Sequence, residues 1–304
     1  MSKPLVISVI VNWNGKQDLR ECLDSLIHVE YEPLSIVVVD NGSSDGSVAF
    51  VSTHYPEVDV LSLPYNRGYA FGLNKGILRA LEKKADYIFV LNNDTVIEPS
   101  AVSRLIEVME FEKTIGVAAP KVLYYDQPTK VYSLGTRSYR WLPLPVNIGH
   151  GKCDHQSYNR IMEFDYVTGC AMMVRGEIFH KIGFFDTSYY MYYEDADFCR
   201  RVHERGYRIV CVGSAIVYHK GARSTGKNKP LFTRIRARNR IWFYRRYRHG
   251  PHPWMTYGTL WLLALLHSVR YIKKRNWELI IPYWQGLIEG WYKSANFPIE
   301  GESN

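Results

Sequence analysis

The chain has 304 residues, 46% of them hydrophobic, enough for one large domain or two small ones with a real core. Its five cysteines (Cys22, Cys153, Cys170, Cys199 and Cys211) are odd in number and lack CxxC spacing. They speak against a disulfide framework and read as reduced, mostly buried thiols in a cytosolic compartment. The net charge of +8 is uneven: 17 Lys and Arg and no acid lie between Arg205 and Trp277, leaving 21 basic and 30 acidic residues elsewhere. A mildly acidic front and a strongly basic back point to an anionic surface or ligand. After Lys3 the chain opens directly into a strand-like run, so no secretory leader is expected.

Leu5 to Val11 is a continuous apolar, β-rich run that suits a parallel strand buried on both faces. Asn12-Trp13-Asn14-Gly15 ends it, and Leu19, Cys22, Leu23 and Leu26 then fall at helical spacing. Leu34 to Val39 reads as a second buried strand, followed by Asp40-Asn41-Gly42-Ser43-Ser44-Asp45-Gly46. Small polar residues at a strand's C-terminal edge supply the tight turns and free backbone N–H groups that a nucleotide site needs. Val58 to Leu63 reads as a third strand, Asn66 to about Lys84 as the next helix, and Asp86 to Leu91 as a fourth strand stopping at Asn92-Asn93-Asp94. Repetition every roughly 25 to 30 residues predicts βαβ units, hence an α/β fold with a mostly parallel sheet flanked by helices. Right-handed crossovers then bring the ends of the first, second and fourth strands to one edge, where Asn12, Asp40 and Asp94 would face a ligand crevice. Neither the dinucleotide G-x-G-x-x-G fingerprint nor a P-loop follows the first strand.

Pro99 to Glu112 reads as a helix and Val117 to Val122 as a strand. From Tyr124 to Phe164, prolines, glycines and aromatics without periodicity predict a long, partly ordered excursion. Thr168 to Val174 is strand-like, Gly176 to Ile182 helical, and Arg208 to Val212 and Ala215 to Tyr218 read as two short strands ending at His219-Lys220-Gly221. A boundary near residue 225 separates this domain, 1–225, from a helical, basic and aromatic region, 226–304. After a Gly/Lys/Asn hinge at Ser224 to Pro230, Arg234 to Arg248 reads as a helix carrying seven arginines. Trp254 to Val269 is apolar apart from His267 and has basic residues on both flanks. Three readings stand side by side: a helix lying on an anionic membrane surface, a buried helix or oligomer face, and a true span, which Pro251 and Pro253 shorten. Nucleic acid is the other anionic partner, but no nucleic-acid motif accompanies the arginines.

The stretch Tyr189 to Arg205 crowds Glu194, Asp195 and Asp197 together, with Arg200 and Arg201 at helical distance. Carboxylates so close repel one another unless a cation or a proton is shared among them. They suit a helix N-terminus, or a general base held near working pH. Asp94 reads as a helix cap before Thr95, or as a ligand of a divalent cation bridging a diphosphate. His219 reads as structural or as a further ligand.

Several stretches resemble glycosyltransferase family 2 enzymes of the GT-A type: VIVNWNG at 9–15, VVVDNGSSDGS at 37–47, NRGYAFGLNKGI at 66–77, LNND at 91–94, TGCAMMVRGEIFHKIGFFD at 168–186, YYEDADFCRRVHERGYRI at 192–209 and VYHKGARS at 217–224. Within the family the pattern looks most like rhamnosyltransferases of bacterial polysaccharide assembly. The resemblance implies a GT-A (Rossmann-like) fold and a donor site in which Asp40 binds the base or ribose, with Asn12 beside it and Arg67 nearby. Asn93 and Asp94 occupy the family's metal-binding DxD position, whose first acid is replaced here by Asn92. His219 matches a metal-ligating histidine in some relatives, and Mg²⁺ or Mn²⁺ is the implied cofactor. Glu194-Asp195 matches the ED motif, with Asp195 as general base and Glu194 as neighbour or alternate.

The expected activity is inverting transfer of a sugar, rhamnose first, from a dTDP- or UDP-sugar to a saccharide or lipid-linked saccharide. That places the protein in the cytoplasm, peripheral on the inner face of the cell membrane. The alternative is a non-catalytic nucleotide-sugar or saccharide-binding protein of a membrane assembly, which the missing first acid of DxD favours. A nucleotidyltransferase would share the sheet and the metal logic, but its glycine-rich, lysine-bearing loop is absent after the first strand.

Overall fold

The computed structural model describes residues 3–139, 142–221, 228–247 and 253–293. The chain forms two compact units, one of Met1–Arg137, Val146–Phe185 and Asp195–Ser224, the other of Ser138–Pro145, Asp186–Glu194 and Thr225–Asn304. The sequence-predicted hinge falls partly on 224–227, outside the described residues, as does Pro251.

The first unit is built on one sheet. Its opening half alternates strand and helix: β1 (Val6–Asn12), α1 (Lys16–Leu26), β2 (Leu34–Asp40), α2 (Ser47–His54), β3 (Asp59–Ser62), α3 (Tyr69–Glu82) and β4 (Tyr87–Asn92). β1 pairs in parallel with both β2 and β4, and β2 in parallel with β3. Then follow β5 (Thr95–Ile97), α4 (Ala101–Phe111), β6 (Ile115–Tyr124), β7 (Val131–Ser133), β8 (Gly135–Tyr139), β9 (Leu142–Ile148), β10 (Ile161–Glu163), β11 (Ala171–Arg175), α5 (Gly176–Ile182), α6 (Glu194–Glu204) and β12 (Arg208–His219). The main sheet runs β10-β12-β6-β11-β4-β1-β2-β3, with β5 on β12 and β7 on β6, while β8 and β9 form a separate pair. β11 runs antiparallel between β4 and β6, so the sheet is mixed at that point.

The continuous apolar runs are buried on both faces because helices cover both. Val6 and Ile10 pack with α1, α2 and α4, whereas Ile7, Val9 and Val11 pack with α3, α5 and α6. At about 25 cal/mol per Å² of apolar surface, these two cores are the main source of stability.

The structure departs from the sequence reading in three places. The 124–164 excursion contains β7, β8, β9 and β10; two of these have three residues, too short to carry a period. The two short strands after Arg208 are one strand, with its register broken between Val212 and Ile216. Gly213 lies at that break, where a Cβ would meet the Tyr158 carbonyl oxygen at 1.7 Å. β5 follows Asp94 directly, so Asp94 caps no helix.

The second unit is helical: α7 (Lys229–Tyr247), α8 (Pro253–Lys273) and α9 (Ile280–Tyr292). α9 packs closely on α7, because a Cβ on Gly286 would lie 2.1 Å from the Arg234 carbonyl oxygen and one on Gly290 2.6 Å from Ile241 Cβ. Arg245 Nη1 donates to the Gly290 and Trp291 carbonyls at 2.8 and 2.9 Å, satisfying orphan acceptors at the end of α9. The same unit holds three tyrosines with left-handed backbone, Tyr190, Tyr192 and Tyr193, at φ 64, 67 and 73°. Such residues cost of order 1 kcal/mol or more each and persist only where the surroundings impose them. Here the wholly buried Asn239 imposes them: its Nδ2 lies 2.8 Å from each of the carbonyl oxygens of Tyr189, Met191 and Tyr192. Arg238 Nε donates to Asn239 Oδ1 at 3.0 Å, which fixes which way the amide faces. No described helix is long and apolar enough to cross a membrane.

Candidate active site

β1 and β2 stay in register to their last residues, Asn12 opposite Asp40. The strand ends therefore bring two buried polar side chains together: Asn12 Nδ2 donates to Asp40 Oδ1 at 3.2 Å. Asn93, beyond the end of β4, donates its Nδ2 to Asn12 Oδ1 at 2.8 Å. Ser43 closes the turn after β2; its N–H donates to Asp40 Oδ2 at 2.9 Å and its hydroxyl oxygen accepts from the Asn14 N–H at 2.9 Å. The Asn41 amide donates to Asn66 Oδ1 and the Gly68 carbonyl at 3.0 Å and accepts from the Arg67 N–H at 3.2 Å. Arg67 is held by this loop, and its guanidinium lies 3.8 Å over the Phe71 ring.

Asp94 sits in the turn from β4 to β5, and His219 ends β12 opposite Thr95. Both side chains are buried, and His219 Nε2 lies 3.1 Å from Asp94 Oδ1. Yet neither of these atoms, nor His219 Nδ1, makes a hydrogen bond among the described residues. The contact is close but misaligned, so two buried polar groups converge without satisfying one another. Two ligands each about 2.1 Å from an octahedral cation stand about 3 Å apart, so the arrangement fits a shared divalent ion. The neighbouring cation does not serve Asp94: Lys220 Nζ is committed to Asp18 at 3.0 Å and Glu21 at 2.7 Å, holding the Glu21 carboxyl below its ordinary value. Among the described residues no three His, Cys, Asp or Glu side chains group as a metal cage. An ion here would take its remaining ligands from substrate oxygens and water, as Mg²⁺ commonly does.

Asp195, on the first turn of α6, is tied to the sheet. Its Oδ2 accepts from the Gly169 N–H at 2.9 Å and its Oδ1 from the Ala196 N–H at 2.8 Å. Gly169 precedes Cys170, whose carbonyl accepts from the Asn92 N–H at 2.9 Å. Asp195 therefore hangs one residue from the end of β4, and Asp94 lies two residues beyond that end. The Cys170 thiol feels both: burial pushes it up to about 12, with the charges of Asp94 and Asp195 adding to the rise. Burial also raises the Asp195 carboxyl above its ordinary value, opposed by the Gly169 and Ala196 N–H bonds. Asp197 points elsewhere, pairing with Arg201 at 2.8 Å. Glu194, the first residue of α6, is buried and belongs to the second unit.

The residues gathered at this sheet edge are thus Asn12, Asp40, Asn93, Asp94, Asp195 and His219. The sequence reading did not single out Gly169, Ser43 or Asn41. Gly169 carries the bond that aims Asp195, but a backbone donor 26 positions away leaves no local trace. Ser43 and Asn41 lie in the small polar run after β2, where composition alone does not tell turn-builders from ligands.

The sequence model of the family described as glycosyl transferase family 2 matches residues 8–183, more than half the chain. The chain belongs to glycosyl transferase family 2. It is 26% identical over 307 residues, covering 90% of its length and 96% of the relative's, to the N-acetylglucosaminyl-diphospho-decaprenol L-rhamnosyltransferase of Mycobacterium tuberculosis strain H37Rv. It is also 27% identical over 208 residues, 66% of this chain and 62% of the relative, to a low-salt glycan biosynthesis hexosyltransferase of Haloferax volcanii. Among solved structures, a mannosyltransferase from Pyrobaculum calidifontis in complex with GDP-Man and Mn²⁺ aligns with a TM-score of 0.61 at 14% identity, over 96% of this chain and 88% of that one. GalNAc-T7 with UDP, GalNAc and Mn²⁺ aligns with a TM-score of 0.58 at 16% identity over 72% of this chain; the match spans 44% of that chain. The fold of this family 2 chain is accordingly the GT-A arrangement, and its activity that of a glycosyltransferase.

Proposed function

We propose that this glycosyltransferase moves a sugar, with inversion, from a nucleoside diphosphate donor to a hydroxyl of a lipid-linked saccharide in bacterial polysaccharide assembly. A rhamnosyl donor carried on dTDP is the first candidate, with a UDP-sugar next. The observation that carries the reading is the pair Asp94 and His219: buried, convergent and unsatisfied among the described residues, at the edge where Asn12, Asp40 and Asp195 also lie. Asp40 and Asn12 would hold the donor's ribose or base, with Arg67 and Asn93 bordering that site. Asp94 and His219 would hold Mg²⁺ or Mn²⁺, which supplies positive charge to the departing diphosphate.

Asp195 accepts the proton of the acceptor hydroxyl as its oxygen bonds to the anomeric carbon. The bond from that carbon to the donor's phosphate oxygen breaks, and its electron pair leaves on the nucleoside diphosphate. A base raised above the ordinary carboxylate range suits this role, because it lies nearer working pH. Asp195 is only partly buried, which leaves a path for the hydroxyl; Glu194, next in the chain, is the alternate base. A lipid-linked acceptor would bring the protein to the inner face of the cell membrane.

Asp195→Asn should lower turnover about a hundredfold or more while donor affinity by calorimetry stays within about twofold. Asp94→Ala should abolish the part of donor affinity that EDTA removes from the parent. Parental turnover in Asp195→Asn would remove Asp195 as base, and donor affinity indifferent to EDTA would remove the cation. A panel of sugar nucleotides tested for sugar release addresses the non-catalytic reading, which the Asn92 replacement favours.

A further inference from the structure

α8 carries a stripe of large apolar side chains in water. Trp261, Leu262, Leu265, Leu266, Val269 and Ile272 are 44 to 56% exposed and recur every three or four residues, so they share one side of the helix. The opposite side is already used: Thr256, Leu260 and Ala264 are buried within the second unit. Single exposed leucines are ordinary on a protein surface, but a contiguous row of six marks an interaction surface.

Charge decides what covers it. Arg270, Lys273, Lys274 and Arg275 are exposed at the C-terminal end of the stripe, α8 itself contains no acid, and Trp277 is 58% exposed just beyond. Among the described residues, Glu278 is the one exposed acid nearby. A second copy of the chain would bury the stripe but bring four more cations; a nucleic acid would match the cations but leave the leucines wet. A bilayer with anionic headgroups takes both, hydrocarbon against the stripe and phosphate against the cations, with tryptophan at the boundary between them. No described helix can cross the bilayer, so α8 would lie in its plane.

We infer that the outer face of α8 is a membrane-docking surface for anionic phospholipid, seated by the Trp261–Ile272 stripe and held by the cations at 270–275. This deepens the lipid-linked acceptor of the proposed function and rests on that reading only for its purpose, because the acceptor's tail lies in the same bilayer.

The test is flotation of the full-length chain with phosphatidylcholine vesicles, with and without about 30 mol% phosphatidylglycerol. The parent should float with the anionic vesicles and lose most of that binding in high salt. L262E together with L266E should lower the bound fraction at least about tenfold, and K273Q with K274Q about fivefold per charge removed. Both sets change exposed positions, so circular dichroism and donor affinity should stay at parental values. A parent that fails to float with either vesicle, or a doubly acidic variant that floats like the parent, overturns the proposal. So does a dimer in sedimentation velocity that the acidic pair dissolves, since a second copy would then own the stripe. Turnover on a water-soluble acceptor reads the proposed function separately: a parent that floats but releases no sugar from any donor, or an Asp195→Asn variant with parental turnover and intact flotation, would leave docking standing alone.

Discussion

The two compact units differ in how far their charges are matched: the second pairs Arg246 with Asp186 and Arg234 with Glu289 yet keeps an excess of cations at its surface. In the first, framework charges are matched inside the fold. Arg201 holds the fully buried Asp197 at 2.8 Å and the Ile182 and Phe184 carbonyls at 2.9 and 2.7 Å. Buried Lys121 meets Asp154 at 2.8 Å and Asn159 at 2.6 Å, and Arg175 meets the Ile115 carbonyl at 2.7 Å. Against that background an unmatched buried pair such as Asp94 and His219 stands out as a site. The second unit is held by close backbone contacts and amide bonds, and carries an excess of cations that extends to its surface. There an exposed cation indicates what the surface meets. The same observation, a polar group without its complement, thus supports the proposed cation in one unit and the proposed bilayer contact in the other.

The comparison breaks if framework pairs in the first unit prove expendable. Removing one partner of a buried ion pair strands the other, at about 3 to 5 kcal/mol. Arg201→Ala should therefore lower the stability of the first unit by about that amount in urea unfolding followed by a probe within the unit. A loss under about 1 kcal/mol would mean that Asp197 finds another partner, and the contrast between matched framework and unmatched site would dissolve.

Asn239 sharpens the other side. Replacing it by Ala takes the donor from the Met191 and Tyr192 carbonyls of a strained tyrosine segment, while the Tyr189 carbonyl keeps the Met191 N–H at 2.7 Å; each buried acceptor is worth about 1 to 3 kcal/mol when fully orphaned. Water should recover part of this, so about 2 to 3 kcal/mol is expected from Asn239→Ala. Hydrogen exchange should show the loss at residues 189–193 and along α7. Unchanged exchange there would mean the tyrosines hold their left-handed backbone without the clasp.

The legible parts of this chain were those whose cause is local. β1, β2 and β4 read directly because burial on both faces demands uninterrupted apolar residues, and α5 because its limits are marked by Gly176 and Gly183. β5, β7 and β10 did not, since three residues hold no period. α9 lies inside the region read as helical, 226–304, but was given no bounds of its own; its Gly286 and Gly290 permit close approach to α7. For the site, strand order alone carried Asn12, Asp40 and Asp94 to one edge. What attaches Asp195 there is a backbone N–H on Gly169, and no residue pattern encodes that bond. The apolar run of α8 was visible from the start, but only packing reveals which of its sides stays in water.

The smallest effect lies in the titration of Asp195, where stability and activity should trade. Burial raises its carboxyl in the folded protein, so the native state binds that proton more tightly than the unfolded chain does. The ionised form is then a cost to folding. The cost is absent below the ordinary carboxylate value of about 4, grows as pH rises through the window up to the raised native value, and is complete above it. Relative to Asp195→Asn, which has no such group, the parent should lose stability as pH rises through that window, with a slope no steeper than about 1.4 kcal/mol per pH unit for one proton. Urea midpoints of both proteins from about pH 4 to 8 in EDTA measure it. The acid limb of kcat/KM should sit above the ordinary carboxylate range for the same reason, because the base must be ionised to accept a proton. If the parent instead gains stability over the variant as pH rises, the Gly169 and Ala196 N–H bonds outweigh burial. Asp195 would then behave like the matched carboxylates of the framework, and the division between matched framework and unmatched site would have to be redrawn at that residue.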